Sequence, residues 1–115
     1  MNEYTPHKWL VIEIKGKEFP LTYKVFASWH GGYLDGDSWK LNSGIKKITK
    51  EGDFYLFTGH SESVYACHKK CYGSHMYGNG VLNAIIQKAK EGDVTIQVLP
   101  ENQNWLDLIP LSSAS

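Results

Sequence analysis

Three of the five histidines and both cysteines lie between Gly59 and Gly80: His60, Cys67, His68, Cys71 and His75. Imidazoles and thiols bind metals and move protons near neutral pH. Cys67, Cys71 and His75 follow one another at intervals of four. On a continuous helix they would share a face and could hold zinc together with His60 or His68. Gly73 and the strand-like run before Cys67 argue against such a helix. Structural zinc signatures use two paired knuckles, and only one irregular half is present. The expectation is therefore no metal and no cofactor, with Cys67 buried on a strand.

The other motifs reduce to turns. His60-Ser61-Glu62-Ser63 offers one His-x-Ser pair, but a phosphate clamp of that type needs two and no second copy follows the other histidines. Ser hydroxyls closing a turn explain it. Gly36-Asp37-Ser38 has no strand-turn-helix after it, so it lacks the scaffold of a serine hydrolase. Gly78-Asn79-Gly80 precedes a helix, but Asn83 stands where a dinucleotide fingerprint has its third glycine. A helix cap explains that string.

What remains is a surface. His30, Tyr33, Asp35, Asp37 and Trp39 share one glycine-bordered loop. His60, Ser61 and Ser63 share a turn, and His68 and Tyr77 lie just beyond it. Aromatic and polar loops on a rigid sheet are typical binding surfaces. The loop 30–39 and the turn 60–63 are expected to converge on one face of the sheet. Two alternatives stand beside this. One is a small hydrolase-type enzyme with His30, His60 or His68 as acid or base and Asp35 or Asp37 nearby. The other is a metal-stabilised interaction domain.

The elements that must position these residues are mostly strands. Leu10, Ile12 and Ile14 mark the first, and Lys15-Gly16-Lys17-Glu18 turns the chain. From Phe19 to Trp29 the alternation is the cleanest in the sequence, predicting a half-buried central strand paired with the first in a hairpin. A strand from Trp39 to Ile48 is interrupted at Asn42-Ser43-Gly44. Phe54–Thr58 and Ser63–Cys67 follow as short strands. The period then changes. Val81, Leu82, Ile85, Ile86 and Ala89 mark one face of a helix, with Asn79 as its N-cap and Glu91-Gly92-Asp93 as its stop. Val94, Ile96 and Val98 form a last strand, and Trp105 and its neighbours fold back onto the body. The pattern predicts an α+β domain: a curved, mostly antiparallel sheet of about five to six strands with one helix from the C-terminal half on one face. Residues 1–115 read as a single domain, with 110–115 as a frayed tail.

Composition narrows the function. Net charge is zero, and all twelve cationic side chains are Lys. Without Arg there is no planar fork for phosphate or guanine, so no dedicated DNA or RNA binding is expected. The first residues lack a cationic and apolar leader, and no run reaches the ~20 residues of a membrane span. The cytoplasm is the expected location. Self-association is left open.

Gly36-Asp37-Ser38-Trp39, then Leu41 to Ile45, then Ser63 to Lys69 with Tyr65, and Tyr72-Gly73, form a pattern. It resembles that of a group of short uncharacterised proteins from phages, prophages and bacteria, over roughly residues 30 to 90. The resemblance implies a mobile-element origin and transfers no catalytic residue. Together these observations point to a small non-catalytic cytoplasmic binding protein. It would be a phage or mobile-element accessory, of the anti-defence kind, acting on a host protein or a nucleotide-like ligand.

Overall fold

Trp9, Leu10, Val11 and Ile12 are consecutive apolar residues, and on an extended chain they point alternately to two faces. All four are buried, so both faces of their strand are covered. The computed structural model describes residues 3–18, 20–32, 36–74 and 76–109, without the side chains of 30–32, 36, 37, 76 and 77. Its strands are β1 (Glu3–Tyr4), β2 (Lys8–Gly16), β3 (Thr22–Gly32), β4 (Gly36–Leu41), β5 (Ile45–Glu51), β6 (Phe54–Gly59), β7 (Val64–His68) and β8 (Val94–Val98). One helix, α1 (Met76–Glu91), precedes β8, and a 3-10 turn covers Trp105–Asp107. The fold is α+β and mostly antiparallel. The strands part into two open four-stranded sheets: an outer sheet in the order β1-β7-β6-β5 and a central sheet in the order β4-β3-β2-β8.

Two apolar layers result. Between the sheets lie Trp9, Val11, Val25, Ala27, Ile45, Phe57, Tyr65, Cys67 and Trp105. On the far face of the central sheet, Leu10, Ile12 and Phe26 meet Leu82 of α1, flanked by Val81, Ile85, Ile86 and Ile96. Trp9 is the hub of the inner layer. Its ring lies 4.7 Å from Tyr72, 5.3 Å from Phe57 and 5.4 Å from Trp105, between centroids. Tilted and edge-on contacts of this kind suit the aromatic quadrupole. The Trp9 indole N–H donates to the His68 carbonyl at 2.7 Å, so its one polar group is satisfied in the core.

The β2–β3 hairpin forms as expected, with Ile14 opposite Thr22 and Lys8 opposite Ser28. β3 is an inner strand, but its burial is wider than alternation predicts. Val25, Phe26, Ala27 and Ser28 are all buried in succession, because α1 covers the face that carries Phe26. The interruption at Asn42-Ser43-Gly44 is where the chain leaves the central sheet and enters the outer one. Helix α1 begins at Met76, so Asn79 lies within it and is not its N-cap. Gly78 is buried in its first turn, where a Cβ would run into the Ser74 hydroxyl and come only into ordinary contact with Phe26 at 3.5 Å, so the glycine makes room for Ser74 just before the helix. Trp105 folds back into the inner layer, 3% exposed. Phe19 and the expected tail at 110–115 lie outside the described residues.

Candidate functional site

The turn that carries His60, Ser61 and Ser63 joins β6 to β7 and docks on the crossing between the sheets. The His60 N–H donates to the Gly44 carbonyl at 3.0 Å, and the Ser61 N–H donates to the Ser43 hydroxyl at 3.0 Å. The Ser43 hydroxyl in turn donates to the Ser61 hydroxyl at 3.2 Å. Gly59 donates to the Ser63 carbonyl at 2.9 Å. Glu62 takes a left-handed φ of 72° to close the turn, and its carboxylate pairs with Lys46. That hydrogen bond and charge hold the Glu62 carboxyl below the usual range. Two glycines make the docking possible. A Cβ on Gly44 would stand 2.9 Å from His60 Cδ2 and 3.6 Å from Thr22 Cγ2, and one on Gly59 would stand 2.7 Å from the Ser43 hydroxyl. The hydroxyls are thus spent on one another and on backbone amides, which makes this turn a clasp between two strands.

Beneath the clasp is Asn42, 4% exposed. Its side-chain oxygen accepts from the Val25 N–H at 2.9 Å and from the Gly44 N–H at 3.3 Å. Its Nδ2 is buried without a partner among the described residues. Its signal in the sequence is a lone Asn between a strand and Ser-Gly, a usual mark of a side chain that caps backbone donors.

The expected convergence of loop 30–39 with the His60 turn is not what the strands build. Gly44 lies beside both the His60 ring and Thr22, the first residue of β3. The loop expected over 30–39 lies at the other end of β3, whose last residue is Gly32, opposite Gly36. Ten steps of extended chain separate the two ends, or ~33 Å. Alternation specifies which face a residue takes, not which end of the strand its neighbours occupy. Tyr33 and Asp35 lie outside the described residues, as do the side chains of His30, Asp37 and Tyr77.

His68 is half-buried at the end of β7. Its Nδ1 accepts from the Lys70 N–H at 3.1 Å, and its ring stands edge-on to Phe54 at 5.0 Å. One ring nitrogen is therefore committed to a turn. Burial pushes the Cys67 thiol well up, with the neighbouring Cys71 adding to the shift, and its Sγ lies 3.7 Å from the Tyr65 carbonyl. A thiol held neutral in the core is a poor nucleophile and ligand. Among the described residues, no three His, Cys, Asp or Glu side chains gather as a metal site needs.

Trp39 has a different setting from the other expected site residues. It lies on β4 opposite Ser28 and stacks on Phe26, with centroids 5.7 Å apart and planes 22° from parallel. It is nevertheless 39% exposed. Val81, Ala84, Ile85, Lys88 and Ala89 of α1 face it across a shallow hollow of about 580 Å³. These helix positions share one face by their spacing. The stripe Val81-Ile85-Ala89 reads in the sequence as core. Ala84 and Ala89 are the small side chains in the lining, while Leu82 packs into the core beneath the helix. Comparison of the chain with protein-family models, curated proteins and solved structures finds no match. No helix among the described residues is long and apolar enough to cross a membrane.

Proposed function

We propose that this chain is a small, non-catalytic binding protein that engages a partner protein through the hollow between Trp39 and α1. The observation that carries this is the lining. An exposed indole and four aliphatic side chains surround an open apolar surface, with Lys88 as its one charged member. Large exposed apolar surfaces mark interaction sites, and Trp is prominent among the residues that anchor them. Between a host protein and a nucleotide-like ligand, the lining favours the protein. A nucleotide needs convergent polar groups for base edges and phosphates, and it needs enclosure. The fitting partner is a segment that presents an aliphatic or aromatic side chain to the hollow and a carboxylate to Lys88. The resemblance to phage and prophage proteins agrees with an accessory factor that acts on a host protein in the cytoplasm.

The test is affinity isolation from the host with wild type and three variants. Trp39→Ala removes the anchor, and Ala84→Arg fills the hollow from an exposed helix position. Thr49→Arg, on exposed β5, is the control. A partner bound stoichiometrically by wild type and the control, and weakened more than about tenfold by the first two, supports the reading. A partner retained by Ala84→Arg, or none bound by wild type, overturns it.

A further inference from the structure

The two sheets have four edge strands, and three of them carry what natural edges use against unwanted pairing. β1 is two residues long. β5 carries Lys46, Lys47, Lys50 and Glu51, and β4 carries Asp37 and Lys40. Short strands and charges of this kind discourage strand addition. β8 is different. Its residues are Val94, Thr95, Ile96, Gln97 and Val98, without a charge, a Pro or a Gly. Val98 is 36% exposed.

The pairing of β8 with β2 shows which of its backbone groups are free for another strand. Ile12 lies opposite Val98, Ile14 opposite Ile96 and Gly16 opposite Val94. The Leu99 N–H donates to the Val11 carbonyl at 3.0 Å, which continues that register by one residue. Hydrogen-bonded and non-hydrogen-bonded pairs alternate along an antiparallel ladder. Leu99, Gln97 and Thr95 therefore spend their backbone groups on β2. Val94, Ile96 and Val98 point theirs away from it, on a side where no described strand lies.

We infer that β8 is the seat of a symmetric homodimer in which β8 of one copy pairs antiparallel with β8 of a second copy about Ile96. The occupant is a second copy because the strand is complementary to itself. In the register centred on Ile96, Val94 of each copy faces Val98 of the other, Thr95 faces Gln97, and Ile96 faces Ile96. Apolar meets apolar on the face that α1 covers, where Ile96 already packs. Polar meets polar on the opposite face. Every outward N–H and C=O of Val94, Ile96 and Val98 then gains a partner on both copies. A two-fold contact of this sort closes on itself and does not propagate, which suits a free edge on a soluble domain. The central sheet would run unbroken through both copies. Because β4 and β8 are opposite edges of that sheet, the Trp39 hollows would stay open at its two ends.

Sedimentation equilibrium of the full chain and hydrogen exchange at the Ile96 and Val98 amides test this together. The expected result is a dimer, with both amides protected in proportion to the dimer fraction. Val98→Pro removes an outward donor and leaves the β2 ladder intact. Val98→Lys places a charge on the exposed edge, and it serves should the proline variant fail to fold. Each is expected to yield a folded monomer with the Ile96 amide exchanging freely. A wild-type chain that stays monomeric up to millimolar concentration would overturn the inference. So would a dimer that survives both substitutions, or protection of these amides in a monomer.

Discussion

Asn42 holds the crossing between the sheets, and its replacement by Ala has a cost that can be worked from its contacts. The substitution removes the acceptor for the N–H groups of Val25 and Gly44, both buried. Val25 is 0% exposed, so its orphaned N–H cannot turn to water. An unmet buried donor costs ~1–3 kcal/mol, and two are created. Against this, Asn42 brings a buried Nδ2 that has no partner among the described residues, and Ala removes it. One of the two penalties is thereby offset on the same scale. The net expectation is a loss of ~1–3 kcal/mol, or roughly 5–15 °C in melting temperature for a domain of this size. Thermal melting measures the sum, and hydrogen exchange at the Val25 and Gly44 amides locates it. A melting temperature within about 2 °C of wild type, with unchanged exchange at both amides, would refute the reasoning.

Two further outcomes follow from the inner layer. Val25→Asp sets an unpaired carboxylate between the sheets and is expected to remove most of the ~5–15 kcal/mol that holds a domain of this size folded; a normal circular dichroism melt would contradict that placement. Tyr65 and Tyr72 are both pushed up to about 12, chiefly by burial. Their neutral forms are favoured in the folded state, so the stability they contribute is intact below pH ~10 and is lost as pH rises from there toward 12. Denaturant midpoints measured across that window should fall, and Tyr72→Phe should flatten the fall; a midpoint that stays level to pH 12 argues against both assignments.

Much of the architecture is legible in the residues, because a period of two or of 3.6 is a local property. The β2–β3 hairpin, the break at Asn42, the helix and the last strand are all written that way. The division into two sheets is not, since alternation says that a face is buried and is silent on what buries it. Phe26 is the exception that carried the information. It is a large apolar residue on the polar face of its strand, and it marks the place where α1 lands. The start of α1 is hidden because Gly78 and Gly80 read as breakers, whereas the lack of a side chain at Gly78 leaves room for the Ser74 hydroxyl beside the first turn. β1 is too short to show a period. At the candidate site, His60, Ser61 and Ser63 do share one turn, as their proximity in the sequence implies. Their role in clasping Ser43 and Gly44 depends on a crossing between sheets that no short spacing encodes. Trp39 stands out in the sequence for its aromatic surface, but its partners on α1, Val81 to Ala89, come from a distant part of the chain.

The central sheet places β2 between β3 and β8, and β8 is the last of the described strands to leave the ribosome. Until residues 94–98 emerge, one side of β2 is an open row of amides next to Trp9, Leu10, Val11 and Ile12. Trp9 also waits for Trp105 to cover it. The β2–β3 hairpin must therefore wait as an adhesive surface while residues 33–93, between β3 and β8, are made. Nonlocal closure of this kind is slow, and it exposes nascent chains to misassociation. A chain cut short before β8 would retain its best-formed hairpin and lose the strand that shields it, so truncated products should be recovered from the aggregated fraction and not as small soluble folds.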